Sequence, residues 1–166
     1  MNKLLILLSL CGAVAAAQAH VVLEYQAAPA ASSYKATFKV GHGCGPSATR
    51  QLVVQVPPAM QEAHPMPKSG WALSVQSQGD RITSVTWTAK TPEDKVPANF
   101  YDEFVLVART PAEPGMVYWP VSQVCDEGRQ DWTQVPAPGQ KLSALKTPAA
   151  ALEVFSSGEA PATHHH

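Results

Sequence analysis

This 166-residue chain lacks most of the patterns that mark the commonest functional classes. Charged residues make up only 15% of it, the net charge is −1, and Lys and Arg form no cluster. Nucleic acid and anionic membrane surfaces are therefore not predicted as partners. The sequence has no G-x-S-x-G motif, no H-E-x-x-H motif and no phosphate-binding glycine loop, so no hydrolase signature is visible.

Helical periodicity is also weak, and 15 prolines argue against long helices. Short strand-like segments recur instead, separated by stretches that carry Gly, Pro, Asp and Asn. The alternation is clearest from Tyr34 to Val40, where every second residue is apolar. Further strands are predicted at 52–56, 71–75, 82–88, 104–109, 117–124 and 151–155. Pro120 predicts an edge position or a bulge in the 117–124 strand. Together these segments predict a single all-β domain, an antiparallel β-sandwich.

The first 19 residues have the features of a secretory leader. Lys3 supplies the positive charge, residues 4–10 form a short apolar run, and Ala17-Gln18-Ala19 is a small-x-small cleavage site. Lipidation at Cys11 is an alternative route, but Leu10 before it is bulkier than the small residue usually found there. Cleavage after Ala19 predicts an exported, periplasmic protein.

The expected organisation is a leader at 1–19, one domain at 20–155 and a disordered tail at 156–166. Beyond the leader, no apolar run approaches the ~18 residues that a bilayer span requires, so no membrane anchor is predicted. The tail ends in His164, His165 and His166. These three histidines are interpreted as a purification tag or adventitious ligands rather than a native site.

Two cysteines, Cys44 and Cys125, remain after leader removal. An even pair in an exported chain favours a disulfide. The alternative is that the two thiolates bind a metal. Their separate contexts, which contain no C-x-x-C motif, favour the bridge.

Leader cleavage would leave His20 as the first residue of the mature chain. Its free α-amine and its ring Nδ1 can then close a six-membered chelate that an internal histidine cannot form. Nitrogen donors of this kind favour Cu(II) among the divalent first-row metals.

His42 is the best partner for such a chelate. It follows a predicted strand in the glycine-rich segment Val40-Gly41-His42-Gly43-Cys44, which a Cys44 bridge would tether. With His20 it would complete a histidine brace of one amine and two imidazole nitrogens. The alternative is a loop histidine that is hydrogen-bonded locally.

Three carboxylates are further candidate ligands. Glu24 lies four residues after His20 and would share its face of a strand, while Asp102 and Glu103 sit at a strand entrance beside aromatic residues. A carboxylate can ligate copper or accept a hydrogen bond from a ligating imidazole. The alternatives are a solvated acid for Glu24 and turn capping for the other two.

Sulfur and aromatic side chains add two weaker patterns. Met60, His64 and Met66 form an M-x3-H-x-M pattern that suits Cu(I), although core filling by methionine is the simpler interpretation. Trp132 could shield a nearby copper ion from water, or could be an ordinary core residue like Trp71.

Taken together, the motifs resemble the YcnI-like family of exported copper-binding domains, especially its proteobacterial branch. The resemblance covers essentially the whole mature chain, and it depends on the motifs in combination. They are the His20-Val21-Val22 start, the V-x-H-G-C loop at 40–44, P-M-P-K-x-G-W at 65–71, Val85-Thr86-Trp87, Y-D-E-F at 101–104, and Q-x-C at 123–125 with the later Trp132.

This resemblance implies an immunoglobulin-like or cupredoxin-like β-sandwich that binds Cu(II) through its N-terminal histidine, with Trp132 near the metal. It also implies copper importers or periplasmic copper chaperones as partners. Gram-positive relatives carry a V-P-x-E glutamate ligand where this chain has Val40-Gly41-His42-Gly43-Cys44. Either His42 or a carboxylate elsewhere is therefore expected to replace that glutamate.

The sequence thus predicts a periplasmic Cu(II)-binding protein, not an enzyme, for copper delivery as a metallochaperone, storage or buffering. One alternative is a histidine-brace copper mono-oxygenase, although no aromatic platform for a polysaccharide is evident. The other is an exported structural or partner-binding sandwich without a native metal.

Overall fold

The computed structural model describes residues 20–156 and residue 158, and it contains almost only strands. The predicted leader and most of the predicted tail lie outside the described residues. Two short 3-10 turns occur at Pro92–Asp94 and Leu142–Ala144. Within the described part, no helix is long and apolar enough to cross a bilayer. The strands are β1 (Val22–Leu23), β2 (Ala27–Pro29), β3 (Ser33–Val40), β4 (Thr49–Gln55), β5 (Gln61–Pro65), β6 (Trp71–Gln78), β7 (Arg81–Ala89), β8 (Asp102–Arg109), β9 (Gly115–Trp119), β10 (Val121–Cys125), β11 (Arg129–Trp132) and β12 (Ala150–Phe155).

The strands form three sheets. Their orders are β1-β3-β8-β5, β11-β10-β4-β7-β6 and β2-β12-β9. Every pairing is antiparallel except β12 with β2, which is parallel. The predicted all-β sandwich is therefore confirmed, with one parallel pair that the sequence did not predict.

The strand predicted at 117–124 is wrong as a single element. Pro120 ends β9, which pairs with β12, and the next residue begins β10, which pairs with β4 in another sheet. Proline has no N–H to donate to a ladder, so it is tolerated where the chain changes sheets. Its carbonyl still accepts a hydrogen bond from the Gln55 N–H at 2.9 Å.

The core lies between the sheets and is rich in aromatic side chains. Phe104 makes edge contacts with Trp71 and Trp87, at centroid distances of 4.9 and 5.7 Å. Phe38 packs against Trp119 in the same way at 5.6 Å. Such T-shaped pairs stabilise a core beyond the area that they bury. Trp71, which was predicted to be a core residue, is buried, and so is Trp87.

Candidate metal centre

The segment that begins at His20 is held by a very short strand. β1 pairs with β3, with Val22 opposite Lys39 and Leu23 opposite Phe38. Val21 and Leu23 are buried in the core and anchor the segment, while His20 itself is only half-buried. The strand is short, so apolar burial supplies most of its attachment.

The His20 ring packs against the indole of Trp132. Their centroids lie 5.2 Å apart and the rings are tilted by 55°. Trp132 is a buried residue of β11, at the edge of the five-stranded sheet. His20 also lines a small cavity of about 50 Å³, together with Gln26, Leu142 and the start of β12. His20 therefore lies close to Trp132 of β11 and to the start of β12.

His42 lies in the loop that follows β3. Because β1 and β3 are antiparallel, the residues before β1 and those after β3 leave the sheet at the same end. His20 and His42 are therefore placed at one end of two neighbouring strands. A shared end of the sheet is one condition of the brace hypothesis, and the two histidines meet that condition.

The His42 loop is fixed at several points. Cys44 and Cys125 form a disulfide with their Cα atoms 6.0 Å apart, which confirms the predicted bridge. The Gly43 N–H donates to the Ala98 carbonyl at 2.9 Å. A Cβ at Gly43 would lie 2.0 Å from the Ser47 carbonyl oxygen, so only glycine fits there.

The ring of His42 makes one local hydrogen bond. Its Nδ1 lies 2.5 Å from the carbonyl oxygen of Gly43, which can only accept, so Nδ1 carries the proton. Nε2 is then the nitrogen with a lone pair. A ligating histidine commonly donates its other ring N–H to a backbone carbonyl. The local bond is thus compatible with ligation through Nε2.

A buried glutamine connects the two histidine regions. Gln123 on β10 is 1% exposed. Its Nε2 donates to the backbone carbonyl of His42 at 2.6 Å and to Thr49 Oγ1 at 2.7 Å, and its Oε1 accepts from Trp132 Nε1 at 3.4 Å. A single amide therefore bonds both the indole that packs on His20 and the loop that carries His42.

The three predicted carboxylates lie around Tyr101. Asp102 pairs with Lys68 at 2.7 Å, Glu103 accepts the phenol proton of Tyr101, and Glu24 is exposed just after β1. Partial desolvation of the phenol, its hydrogen bond to Glu103 and the nearby charges of Glu103, Glu24 and Asp102 raise the pKa of Tyr101 to about 12. Among the residues that the structure describes, no three His, Cys, Asp or Glu side chains form a group that could hold a metal ion. The structure therefore does not bring the five predicted ligands together as one cluster.

The sequence of the described domain matches one protein family over nearly its whole length. A family model described as "Domain of unknown function (DUF1775)" matches residues 20–154. The chain belongs to the DUF1775 family. Its matched region begins at His20 and includes every residue of the candidate centre.

Two relatives of this DUF1775 chain carry further information. It is 28% identical over 141 residues to "Copper-binding protein CutI" of Bacillus subtilis (strain 168), an alignment that covers 77% of this chain and 66% of that protein. The chain thus spans just under two thirds of that relative's length. A solved structure of an uncharacterized protein from Nocardia farcinica, with an immunoglobulin-like fold, is 26% identical with a TM-score of 0.70. That match covers 82% of this chain and 99% of the other, and it confirms the immunoglobulin-like sandwich.

The M-x3-H-x-M pattern of this DUF1775 domain does not form a methionine-rich surface. Met60 is completely buried, whereas His64 is exposed on β5 and Met66 is 51% exposed. The side chain of Met60 therefore fills the core, in agreement with the simpler interpretation.

Sequence reasoning missed Gln123 and Thr49 as parts of the DUF1775 site. Both are polar residues buried on strands, and a buried polar side chain must find hydrogen-bond partners. The one sequence signal was the Q-x-C motif, which places Gln123 on the same strand face as the disulfide cysteine Cys125.

Proposed function

We propose that this protein is an exported, periplasmic copper-binding protein that holds one Cu(II) ion at its mature N-terminus. The ligands are the α-amine and ring of His20 and the ring of His42. Its task is copper delivery, storage or buffering, with a copper importer or a periplasmic copper chaperone as partner. The name of the relative CutI supports copper as the ligand.

The observation that carries the proposal is the position of the two histidines at one end of β1 and β3. A histidine brace needs only two side chains, since the third nitrogen is the backbone amine. The lack of a cluster of three ligating side chains among the described residues is therefore compatible with it. The start of the family match at His20 supports leader cleavage at that point.

The donor set fits Cu(II) chemically. Three nitrogen donors suit the tetragonal geometry that Cu(II) prefers. His42 Nδ1 is bonded to Gly43, which orients the ring for ligation through Nε2. His42 thereby replaces the glutamate expected from Gram-positive relatives, and the Asp102 carboxylate stays paired with Lys68.

A titration of the mature protein with Cu(II), which measures its affinity, tests the proposal. The protein is prepared without His164–His166. His20→Ala removes the ring and should weaken Cu(II) binding by more than the ~10–100-fold that is typical of changes to groups supporting a ligand. His64→Ala is the matched control, because His64 is exposed on β5 at the far edge of the same sheet. Equal affinity for His20→Ala and the wild type would refute the proposal.

The mono-oxygenase alternative uses the same brace and is distinguished from the proposed copper-binding function by its reaction products. The copper-loaded protein with a reductant and a polysaccharide is expected to give no oxidised sugars. If such sugars form and are lost in His20→Ala, the protein is an enzyme. If the processed, tag-free protein binds no Cu(II) tightly, the metal-free structural alternative holds.

A further inference from the structure

We infer that Gln123 is a positioning residue that holds His42 in place for the metal, and this inference rests on the proposed function. Gln123 makes no hydrogen bond to either imidazole. It acts through the backbone carbonyl of His42 on one side and through the indole of Trp132 on the other.

The hydrogen-bond chemistry fixes the orientation of the Gln123 amide. The His42 carbonyl can only accept and the Trp132 indole N–H can only donate, so Nε2 must face the first and Oε1 the second. A flipped amide would lose both bonds. Because Gln123 is buried, each loss would leave a polar group without water to replace its partner.

Gln123 and Cys125 hold the same loop from one strand. The disulfide fixes the loop at Cys44, and Gln123 fixes it two residues earlier, at His42. The Gly43 N–H is bonded to the Ala98 carbonyl between these two points. The Gln123 bond adds the support at His42 itself, where the ligand is attached.

Thr49 completes the support from the neighbouring strand β4. It is completely buried, and its hydroxyl accepts the second bond from Gln123 Nε2 while lying 3.9 Å from Cys125 Sγ. Both amide protons of Gln123 are therefore bonded. A fully bonded buried amide is rigid, which is what the support of a metal ligand requires.

Gln123→Met tests this role, because it keeps the length and removes the hydrogen bonds. Cu(II) affinity should fall about 10–100-fold, the range seen when a supporting group of a metal ligand is removed. The nitrogen coupling in the electron paramagnetic resonance spectrum should fall from three nitrogens to two. Gln51→Met is the matched control, since Gln51 lies on the adjacent strand β4 and bonds Thr88 instead. It should change neither affinity nor nitrogen count.

Gln123→Leu keeps the test open if methionine prevents folding. Its apolar side chain can neither donate to the His42 carbonyl nor accept the Trp132 N–H. The same loss of one nitrogen is expected, and circular dichroism of the metal-free variant checks that it is folded.

Combination with His42→Ala separates positioning from general destabilisation. If Gln123 acts through His42, the double variant His42→Ala/Gln123→Met should bind Cu(II) as tightly as His42→Ala alone. Additive losses of affinity in the double variant would overturn the inference, and so would wild-type affinity and nitrogen count in Gln123→Met. In either case the proposed function would still stand if His20→Ala weakens Cu(II) binding. If the wild type binds no Cu(II), both fail together.

Discussion

The two histidines of the candidate site are supported in contrasting ways. The loop of His42 is held by a disulfide, by the Gly43 hydrogen bond to Ala98 and by the buried amide of Gln123. The segment of His20 has no disulfide and depends on the two-residue pairing of β1 with β3, on two buried aliphatic residues and on one aromatic contact. The His42 arm therefore has more fixed points than the His20 arm, which under the proposed function leaves the His20 arm to adjust to the metal.

Under the proposed function, this difference suits a protein that binds an ion and then releases it. A site with one preorganised ligand lowers the ordering cost of binding, because only the second arm has to settle. Under the same proposal, the less constrained N-terminal arm would be the first to leave the ion during transfer to a partner. Changes to the two arms should consequently have different effects on stability and on copper binding.

The largest expected effect comes from removing the bridge with Cys44→Ser and Cys125→Ser together. The bridge joins residues 81 positions apart, and the free energy of unfolding should fall by about 4 kcal/mol in the chain-entropy model. Urea titration measures this loss. The Cu(II) complex should keep the two His20 nitrogens and lose the His42 nitrogen. Three nitrogens in the bridge-free variant would show that the loop does not depend on the disulfide.

A smaller effect is expected from Val21→Ala, which weakens the other arm. Val21 follows His20 directly and is buried, so the loss of two methyl groups should cost about 1–2 kcal/mol of stability. Val54→Ala is the matched control, because Val54 is equally buried on β4. Both variants should lose similar stability in urea. Only Val21→Ala should also weaken Cu(II) binding, and equal affinities in the two would contradict the contrast between the arms.

The contrast also explains what could be predicted from the sequence. The period-two alternation of residues 34–40 predicts β3 because the strand is long and buried on one face. β1 has only two residues, and β5 and β11 are rich in polar residues, so none of them carries such a pattern. β5 is further disrupted by Glu62, whose φ of 50° accompanies a register shift.

For the candidate site, local signals predicted the two histidines and the bridge, whereas the contacts that support them are tertiary. The cleavage motif indicates His20 and the paired cysteines indicate the bridge, because both are properties of the chain itself. The bond from Gln123 to His42 joins residues 81 positions apart and depends on how β10 meets the loop. Similarly, Asp102 looks like a free carboxylate in the sequence but is engaged by Lys68 in the fold.

The smallest expected effect concerns the strand that carries Trp132. Asp131 on β11 accepts hydrogen bonds from Arg129 Nε at 2.7 Å and from Ser122 Oγ on β10 at 2.6 Å. Both hydrogen bonds lower the pKa of Asp131 below its usual value of 3.8, and the bond from Arg129 has the larger effect. The lowered pKa means that the folded state favours the ionised carboxylate. Its contribution to stability is therefore complete above pH 3.8 and is lost as the pH falls through the lower folded value.

Asp131→Asn should remove this contribution and little else. Because the Asp131 side chain is 45% exposed, solvent screens the pair, and the Tm should fall by no more than a few degrees at pH 6. The difference from the wild type should shrink as the pH falls below 3.8, which thermal unfolding between pH 2 and 6 can follow. Ser122→Ala removes only one of the two bonds and should give a weaker form of the same profile. A Tm difference that stayed constant down to pH 2 would mean that the substituted amide disturbs the packing of β11 and not its charge. The ion pair between Arg129 and Asp131 would then contribute nothing to the stability of this edge strand.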